Sequence, residues 1–283
     1  MYKRLGLRQT LCTLMPVLLL LSLCACARKP EPAPNPYENM IEVANGRGGT
    51  MWVHQIEGLV AADFNREDFS RDGEFIVHSD PSKVRRGIDV SYYQKDIDWD
   101  AVAGAGVDFA FIRVGYRGYT EGMLYEDVKA RENIEGALAA GIEVGVYFFS
   151  QALTPLEAIA EADMTLKIIE GYDITLPVVF DWERIGGGNV ARTDDLDSET
   201  LTNCALAFCR YVQARGYEPA VYFYRSLGYY EYQLSRLKDF CFWVGAPGEY
   251  PDFHYEHRIW QYSFTARIPG IDADVDLNLM FVD

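Results

Sequence analysis

The 283-residue sequence predicts an α/β fold, a TIM-like β/α barrel preceded by a small N-terminal extension. Three observations carry this prediction. From Gly87 onward, short apolar, β-rich runs recur: RRGIDVS, DFAFIRVG, EVGVYFFS, LPVVFDWE, PAVYFYR, DFCFWVGA and RIWQYS. Helical stretches with capping or amphipathic signatures separate the early runs, and strand–helix–strand repetition implies parallel pairing through right-handed crossovers. The runs are apolar on both faces, as a barrel wall covered by helices requires. A composition of 49% hydrophobic and 24% charged residues suits one large core.

The chain begins with a basic patch, Lys3, Arg4 and Arg8, followed by an apolar run from Leu11 to Ala25. Charge and length mark a secretion signal over residues 1–25. The run is short for a spanning helix, which needs about 20 apolar residues, and Pro16 interrupts it. Its end, Leu23-Cys24-Ala25-Cys26, resembles a bacterial lipobox with Cys26 as the lipidated residue, although Cys24 stands where a small residue is usual. An uncleaved anchor is the alternative. Pro30, Pro32, Pro34 and Pro36 alternate in the next segment, so residues 26–40 read as a lipidated, extended tether. Residues 41–84 form the extension, with short strands expected in MWVHQIEGLV and EFIVHSD, and residues 85–283 form the barrel domain.

Within the barrel, Asp98-Trp99-Asp100 opens a first helix, and a second runs from Arg131 to Ala140 before Gly141. A third starts with Thr154 as N-cap, Pro155 at the first helical position and Glu157 completing a capping box. A fourth runs from Ser198 to Arg215 and is closed by Gly216. The last connectors are shorter, so the final part is expected to be less regular.

A formal net charge of −16 argues against nucleic-acid binding, which needs clustered Lys and Arg. It also makes electrostatic attachment to anionic lipid unfavourable, so membrane attachment should be covalent. Cys12 and Cys24 fall in the signal and Cys26 carries lipid; the remainder, Cys204, Cys209 and Cys241, is an odd set. All three are read as buried small hydrophobes. His54, His78, His254 and His257 form no zinc-binding pattern. No metal, cofactor or partner subunit is expected.

Function in a β/α barrel sits at the C-terminal strand ends. There the sequence places Asp89, the triplet Asp181-Trp182-Glu183, Gln261, and Asp276 in the tail. Residues i and i+2 of a strand share a face, so Asp181 and Glu183 point into one cavity and Trp182 points into the core. An isolated pair of this kind more often caps a helix or binds a neighbour such as Arg184. The convergence with Asp89 shifts the weight to chemistry. Two crowded carboxylates cannot both ionise easily, which is what glycoside hydrolysis needs: one acid for the leaving oxygen, one carboxylate for the oxocarbenium-like centre.

The segments GIDVSYYQKDIDWDAV, FAFIRVGYRG, GVYFFSQ, LPVVFDWE, AVYFY, FW and IWQYS…VDLN, in this order, resemble glycoside hydrolase family 25, the Chalaropsis-type lysozymes, over residues 85–283. The resemblance implies a barrel with fewer helices than a full eightfold one. It implies hydrolysis of the β-1,4 bond from N-acetylmuramic acid to N-acetylglucosamine in peptidoglycan, with no cofactor. By motif, Glu183 is the general acid/base. Asp181 stabilises the anomeric centre or orients the 2-acetamido group, Asp89 supports charge and hydrogen bonding, and Asp276 lines the same cleft. Secondary candidates for substrate binding are Tyr147 on the third strand, Tyr116 on the loop after the second, Tyr224 on the fifth and Gln261 on the seventh. Gly186-Gly187-Gly188 adds a loop beside the site. One departure is that Val244-Gly245-Ala246 follows Trp243 where many members carry an acid and an aromatic. The readings that compete are a non-catalytic wall-binding lipoprotein on the same barrel and a glycosidase of another amino-sugar glycan. The location implied is the cell envelope, with the chain monomeric.

Overall fold

The computed structural model describes Asn35 and residues 37–282. The expected signal, Cys26 and most of the proline-rich tether lie outside the described residues. Residues 39–283 form one compact unit. Strands β1 (Met40–Ala44) and β2 (Thr50–His54) make an antiparallel hairpin, and β3 (Phe69–Asp72) and β4 (Phe75–His78) make a second. β2 and β4 are the short strands expected in the extension, and β1 and β3 pair with them. They are fastened to the barrel by backbone and tyrosine bonds: Ala62 N–H donates to the His254 carbonyl at 2.9 Å, the Tyr255 hydroxyl accepts from Ile56 N–H at 2.6 Å, and the Tyr250 hydroxyl donates to the Phe64 carbonyl at 2.7 Å.

The barrel consists of β5 (Val84–Val90), β6 (Phe109–Arg117), β8 (Glu143–Ser150), β9 (Val178–Trp182), β10 (Pro219–Tyr224), β11 (Cys241–Gly245), β12 (Ile259–Ala266) and β13 (Val275–Phe281). Neighbours pair in that order, and β13 closes the ring on β5. The short β7 (Leu124–Glu126) folds back on β6. The seven sequence runs are the seven parallel strands. The eighth, β13, comes from the VDLN tail and lies antiparallel to both β12 and β5, so its connection needs no crossover helix.

Helices α1 (Trp99–Gly104), α2 (Ala130–Ala139), α3 (Pro155–Ile169) and α4 (Ser198–Gln213) follow the first four barrel strands, and a six-residue α5 (Arg225–Tyr230) follows β10 directly. Asp98, Thr154 and Asp197 cap their helices by accepting from backbone N–H groups. The capping box expected at α3 is half formed. Thr154 accepts from Glu157 N–H, but the Glu157 carboxylate takes Leu153 N–H and Arg192 instead of the Thr154 amide.

Side-chain alternation divides the apolar residues into two cores. Ile88, Ala110, Ile112, Val144, Val146, Val178, Phe180, Trp182, Val221, Phe223, Val244, Trp260 and Leu277 face outward to the helices and extension. Phe109, Phe111, Leu176, Val179, Ala220, Trp243, Ile259 and Met280 fill the lumen. Glycine is required where lumen rings crowd the wall: a Cβ on Gly87 would sit 2.1 Å from the Phe109 ring, and one on Gly145 2.3 Å from the Phe111 ring. Cys204 and Cys209 are fully buried free thiols, as expected. Cys241 is also a free thiol but only half-buried, at the first position of β11.

Candidate active site

Going up each strand, the inward positions change from apolar to polar. On β9 the inward series is Val179, Asp181, then Glu183 just past the strand, while Trp182 is buried in the outer core. On β5 it ends at Asp89, on β12 at Gln261, and on β8 it passes Tyr147. On β13, which runs the other way, it begins at Asp276 and Asn278. Asp276 and Asp89 are direct cross-strand partners. The result is a cleft of about 920 Å³ at the C-terminal end of the parallel strands. Its lining includes Asp89, Asp181, Glu183 and Asp276 together with Tyr116, Tyr147, Tyr224 and Gln261. Among the described residues, no group of three or more His, Cys, Asp and Glu side chains is arranged to hold a metal ion.

The acids fall into two environments. Asp89 accepts from Gln261 Nε2 at 2.9 Å and from Asn278 Nδ2 at 2.8 Å, and Gln261 Nε2 also reaches Asp276 Oδ2 at 3.2 Å. Burial pushes the Asp89 carboxyl up to about 6, with the amide hydrogen bonds opposing the rise. Asp276 is pushed up to about 9, by burial first and then by the charge of Asp89, so near neutrality Asp276 holds the proton of this pair.

Among the described residues, Asp181 and Glu183 have no such bonds. Asp181 Oδ1 is buried without a hydrogen-bond partner. Its carboxyl is raised well above the usual range by burial and by the neighbouring Glu183 and Asp89, with Arg113 opposing. Glu183 is half-buried, and no side chain among the described residues hydrogen-bonds its carboxyl group. Burial and the charge of Asp89 push it up to about 7. A carboxyl with that affinity, open to the cleft, exchanges protons near neutrality, as a general acid/base must. Arg184 does not neutralise either acid, because it pairs with Glu231 at 2.7 Å.

Tyr116 corrects the sequence reading. It lies within β6, not on a loop, and pairs with Tyr125 of β7 in a stack 5.2 Å apart. Strict alternation would turn it outward. A register irregularity between Arg113 and Gly115 shifts the phase by one residue and brings Tyr116 to the cleft. Tyr147 stands edge-on to Trp243, and Tyr224 ends β10 near Phe264. The departure after Trp243 has a steric reason. A Cβ on Gly245 would come within 2.5 Å of the Tyr222 hydroxyl, which donates to Gln261 Oε1 at 2.7 Å.

Sequence reasoning missed several residues that shape the cleft. Asn278 stands two positions after Asp276 and shares its face, and Tyr222 stands two positions before Tyr224, so the period-two rule alone could have found both. Trp243 floors the cleft, held by Nε1 donating to Asn278 Oδ1 at 2.8 Å. Gln151, just past β8, donates Nε2 to the Glu183 carbonyl at 3.1 Å and accepts from Thr193 Oγ1 at 2.6 Å. It ties the strand end to the loop that carries Gly186–Gly188.

Comparison with known proteins agrees with this geometry. A model of Glycosyl hydrolases family 25 matches residues 88–271. Lysozyme M1 of Streptomyces globisporus is 30% identical over 224 residues, covering 73% of this chain and 71% of that protein. The Autolytic lysozyme of Clostridium acetobutylicum is 26% identical over 194 residues, covering 68% of this chain but only 55% of that protein. The bacterial lysozyme from Streptomyces coelicolor superposes with a TM-score of 0.55 at 27% identity, covering 70% of this chain and 92% of that one. The modular autolysin LytC of Streptococcus pneumoniae shares the fold, with a TM-score of 0.60 at 23% identity over 86% of this chain and 57% of that one. With a family match across most of its length and a barrel whose upper rim gathers the acids, this chain belongs to glycosyl hydrolase family 25.

Proposed function

We propose that the protein is an endo-acting lysozyme that hydrolyses the β-1,4 bond between N-acetylmuramic acid and N-acetylglucosamine in peptidoglycan, outside the cytoplasm. One observation carries this reading: four carboxyl groups from β5, the end of β9 and β13 line a single cleft at one end of the barrel. The names of relatives in the family, lysozyme and autolytic lysozyme, agree with it.

In this mechanism Glu183 gives its proton to the glycosidic oxygen as the bond to the muramyl anomeric carbon breaks. Asp181 holds the 2-acetamido group against that carbon or, in its ionised form, stabilises the positive charge there. Water then supplies the new hydroxyl, and its other proton returns to Glu183. The proton shared by Asp89 and Asp276 keeps that pair at one negative charge, which supports the developing cation without doubling the repulsion on Glu183. Tyr116, Tyr147, Tyr224 and Gln261 contact the sugar.

The wider layout belongs to the same proposal: a signal over residues 1–25, lipid on Cys26, a tether to residue 40, an extension over 41–84, and a monomeric barrel working in the cell envelope.

Loss of turbidity of purified cell walls tests the activity. Glu183→Gln should lower the rate by about 10²–10⁴-fold, the usual contribution of a positioned acid, with an unchanged circular dichroism spectrum. Equal activity in the variant would remove Glu183 from its role. Muramic acid at the new reducing ends is the expected product; N-acetylglucosamine there would instead mark a glycosidase of the other bond. Binding to walls with no release of fragments would mark a non-catalytic binder. Fractionation of cells expressing Cys26→Ala tests the anchor: the variant should leave the membrane fraction, whereas unchanged association would favour an uncleaved spanning segment.

A further inference from the structure

Two arginines line the cleft, and they differ in what their guanidinium groups do. Arg117 is engaged at all three nitrogens: Nε donates to Glu161 at 2.6 Å, Nη1 to the Gly122 carbonyl at 2.6 Å and Nη2 to the Glu157 carbonyl at 2.9 Å. Arg113 uses only Nε, which donates to Asp127 Oδ2 at 2.8 Å. Its Nη1 and Nη2 have no acceptor among the described residues, and Nη2 is buried in that condition. The residue is 9% exposed. Structures seldom leave buried charged donors without a partner.

Its surroundings fix the group in place. Asp127 is held by Tyr92 N–H at 3.1 Å and Lys129 N–H at 2.9 Å, so it anchors the Nε side. The rings of Tyr92, Tyr93 and Tyr116 surround the guanidinium carbon at 5.1, 5.4 and 5.3 Å. Tyr147 is its cross-strand partner on β8. The positive charge of Arg113 opposes the rise at both Asp181 and Tyr147, which places it beside the carboxyl cluster. Arg113 is therefore a rigid cation, with two unused amino groups, in a cleft that also gathers four carboxyl groups.

We propose that the two amino groups of Arg113 recognise the carboxyl group of the 3-O-lactyl substituent that distinguishes muramic acid from N-acetylglucosamine. The inference rests on the lysozyme reading above and deepens it into a source of specificity. Two parallel N–H donors of a guanidinium match the two oxygens of a carboxylate, and one donor suffices for the amide carbonyl formed when a stem peptide is attached. A glycan of N-acetylglucosamine alone presents no such group. The negative charge that the acid cluster keeps would repel a lactyl carboxylate if no cation met it.

Calorimetric titration in a Glu183→Gln background, where probes are not consumed, tests this with three soluble ligands. These are a GlcNAc–MurNAc disaccharide with its free lactyl carboxylate, the same disaccharide with the lactyl group amidated by a dipeptide, and chitobiose. Arg113→Gln should weaken binding of the free carboxylate by about tenfold or more, one charge-assisted hydrogen bond's worth. It should weaken the amide less and leave chitobiose unchanged. An equal loss on all three ligands would assign Arg113 to the acetamido group or to structure, and no loss on any would exclude it from binding; either result overturns the proposal. If Arg113→Gln does not fold, Arg113→Lys keeps a charge but lacks the paired donors, and a full lactyl preference in that variant would equally overturn it. Wall clearing by the parent protein reports separately on the broader reading. A parent that clears walls while the lactyl preference ignores Arg113 sinks this assignment alone. A parent that clears no walls sinks the reading beneath it and this one together.

Discussion

Gln151 carries no acid–base chemistry, yet it holds the backbone from which Glu183 projects. Fully buried, it donates to the Glu183 carbonyl and accepts from Thr193, so one amide fixes both the strand end and the returning loop. Misplacing a catalytic group by a fraction of an ångström costs rate without costing much binding. Gln151→Leu keeps the volume and removes both bonds. It should lower kcat on a soluble glycan by about tenfold or more, leave KM nearly unchanged, and shift the alkaline limb of the pH–rate profile as the Glu183 carboxyl moves. A parallel loss in KM, with the pH profile intact, would mean that Gln151 only stabilises the fold. The residue was visible in GVYFFSQ, but nothing in that run says that a glutamine past the strand end reaches across to the next strand. By contrast, the acids themselves were legible, because each ends or begins an apolar strand on its inward phase.

At the scale of elements, what was legible is what repeats. Parallel strands covered on one side by helices and on the other by lumen residues give apolar runs of five to nine residues, and capping residues such as Asp98 and Thr154 fix helix starts through their own side chains. The parts that escaped depend on register or on distant partners. β13 has a mixed sequence because its inward side chains, Asp276 and Asn278, belong to the site, and its antiparallel direction is set by pairing with β5, far away in the chain. The phase change in β6 that brings Tyr116 to the cleft is an irregularity between two strands. α5 begins on the residue after β10, with no side-chain cap to announce it. The Gly245 departure makes sense only beside Tyr222 and Gln261, which come from two other strands.

The molecule carries an excess of acids twice, over its surface and in buried carboxyl groups. The net charge is −16, while burial holds Asp89 at about 6, Glu161 and Glu183 at about 7, and Asp276 at about 9. These folded values lie above the ordinary 3.8 and 4.5 of the same groups. The folded chain therefore binds protons that the unfolded chain releases. The stability this contributes is complete below about pH 4 and is lost as pH rises through 6, 7 and 9. His257, buried and lowered to about 4, acts in the opposite sense: it costs stability as pH falls below its ordinary 6.5. One histidine offsets only part of the loss from four carboxyls, so the net decline runs from about pH 4 to 9. Surface repulsion is screened by salt, but the buried carboxyls are not. Asp276→Asn keeps the shape and removes a group raised to about 9, so denaturant unfolding in high salt should show a flatter decline above pH 7 than in the parent. Identical slopes for the two proteins would show that surface charge, not the cluster at the barrel mouth, governs how this fold responds to pH.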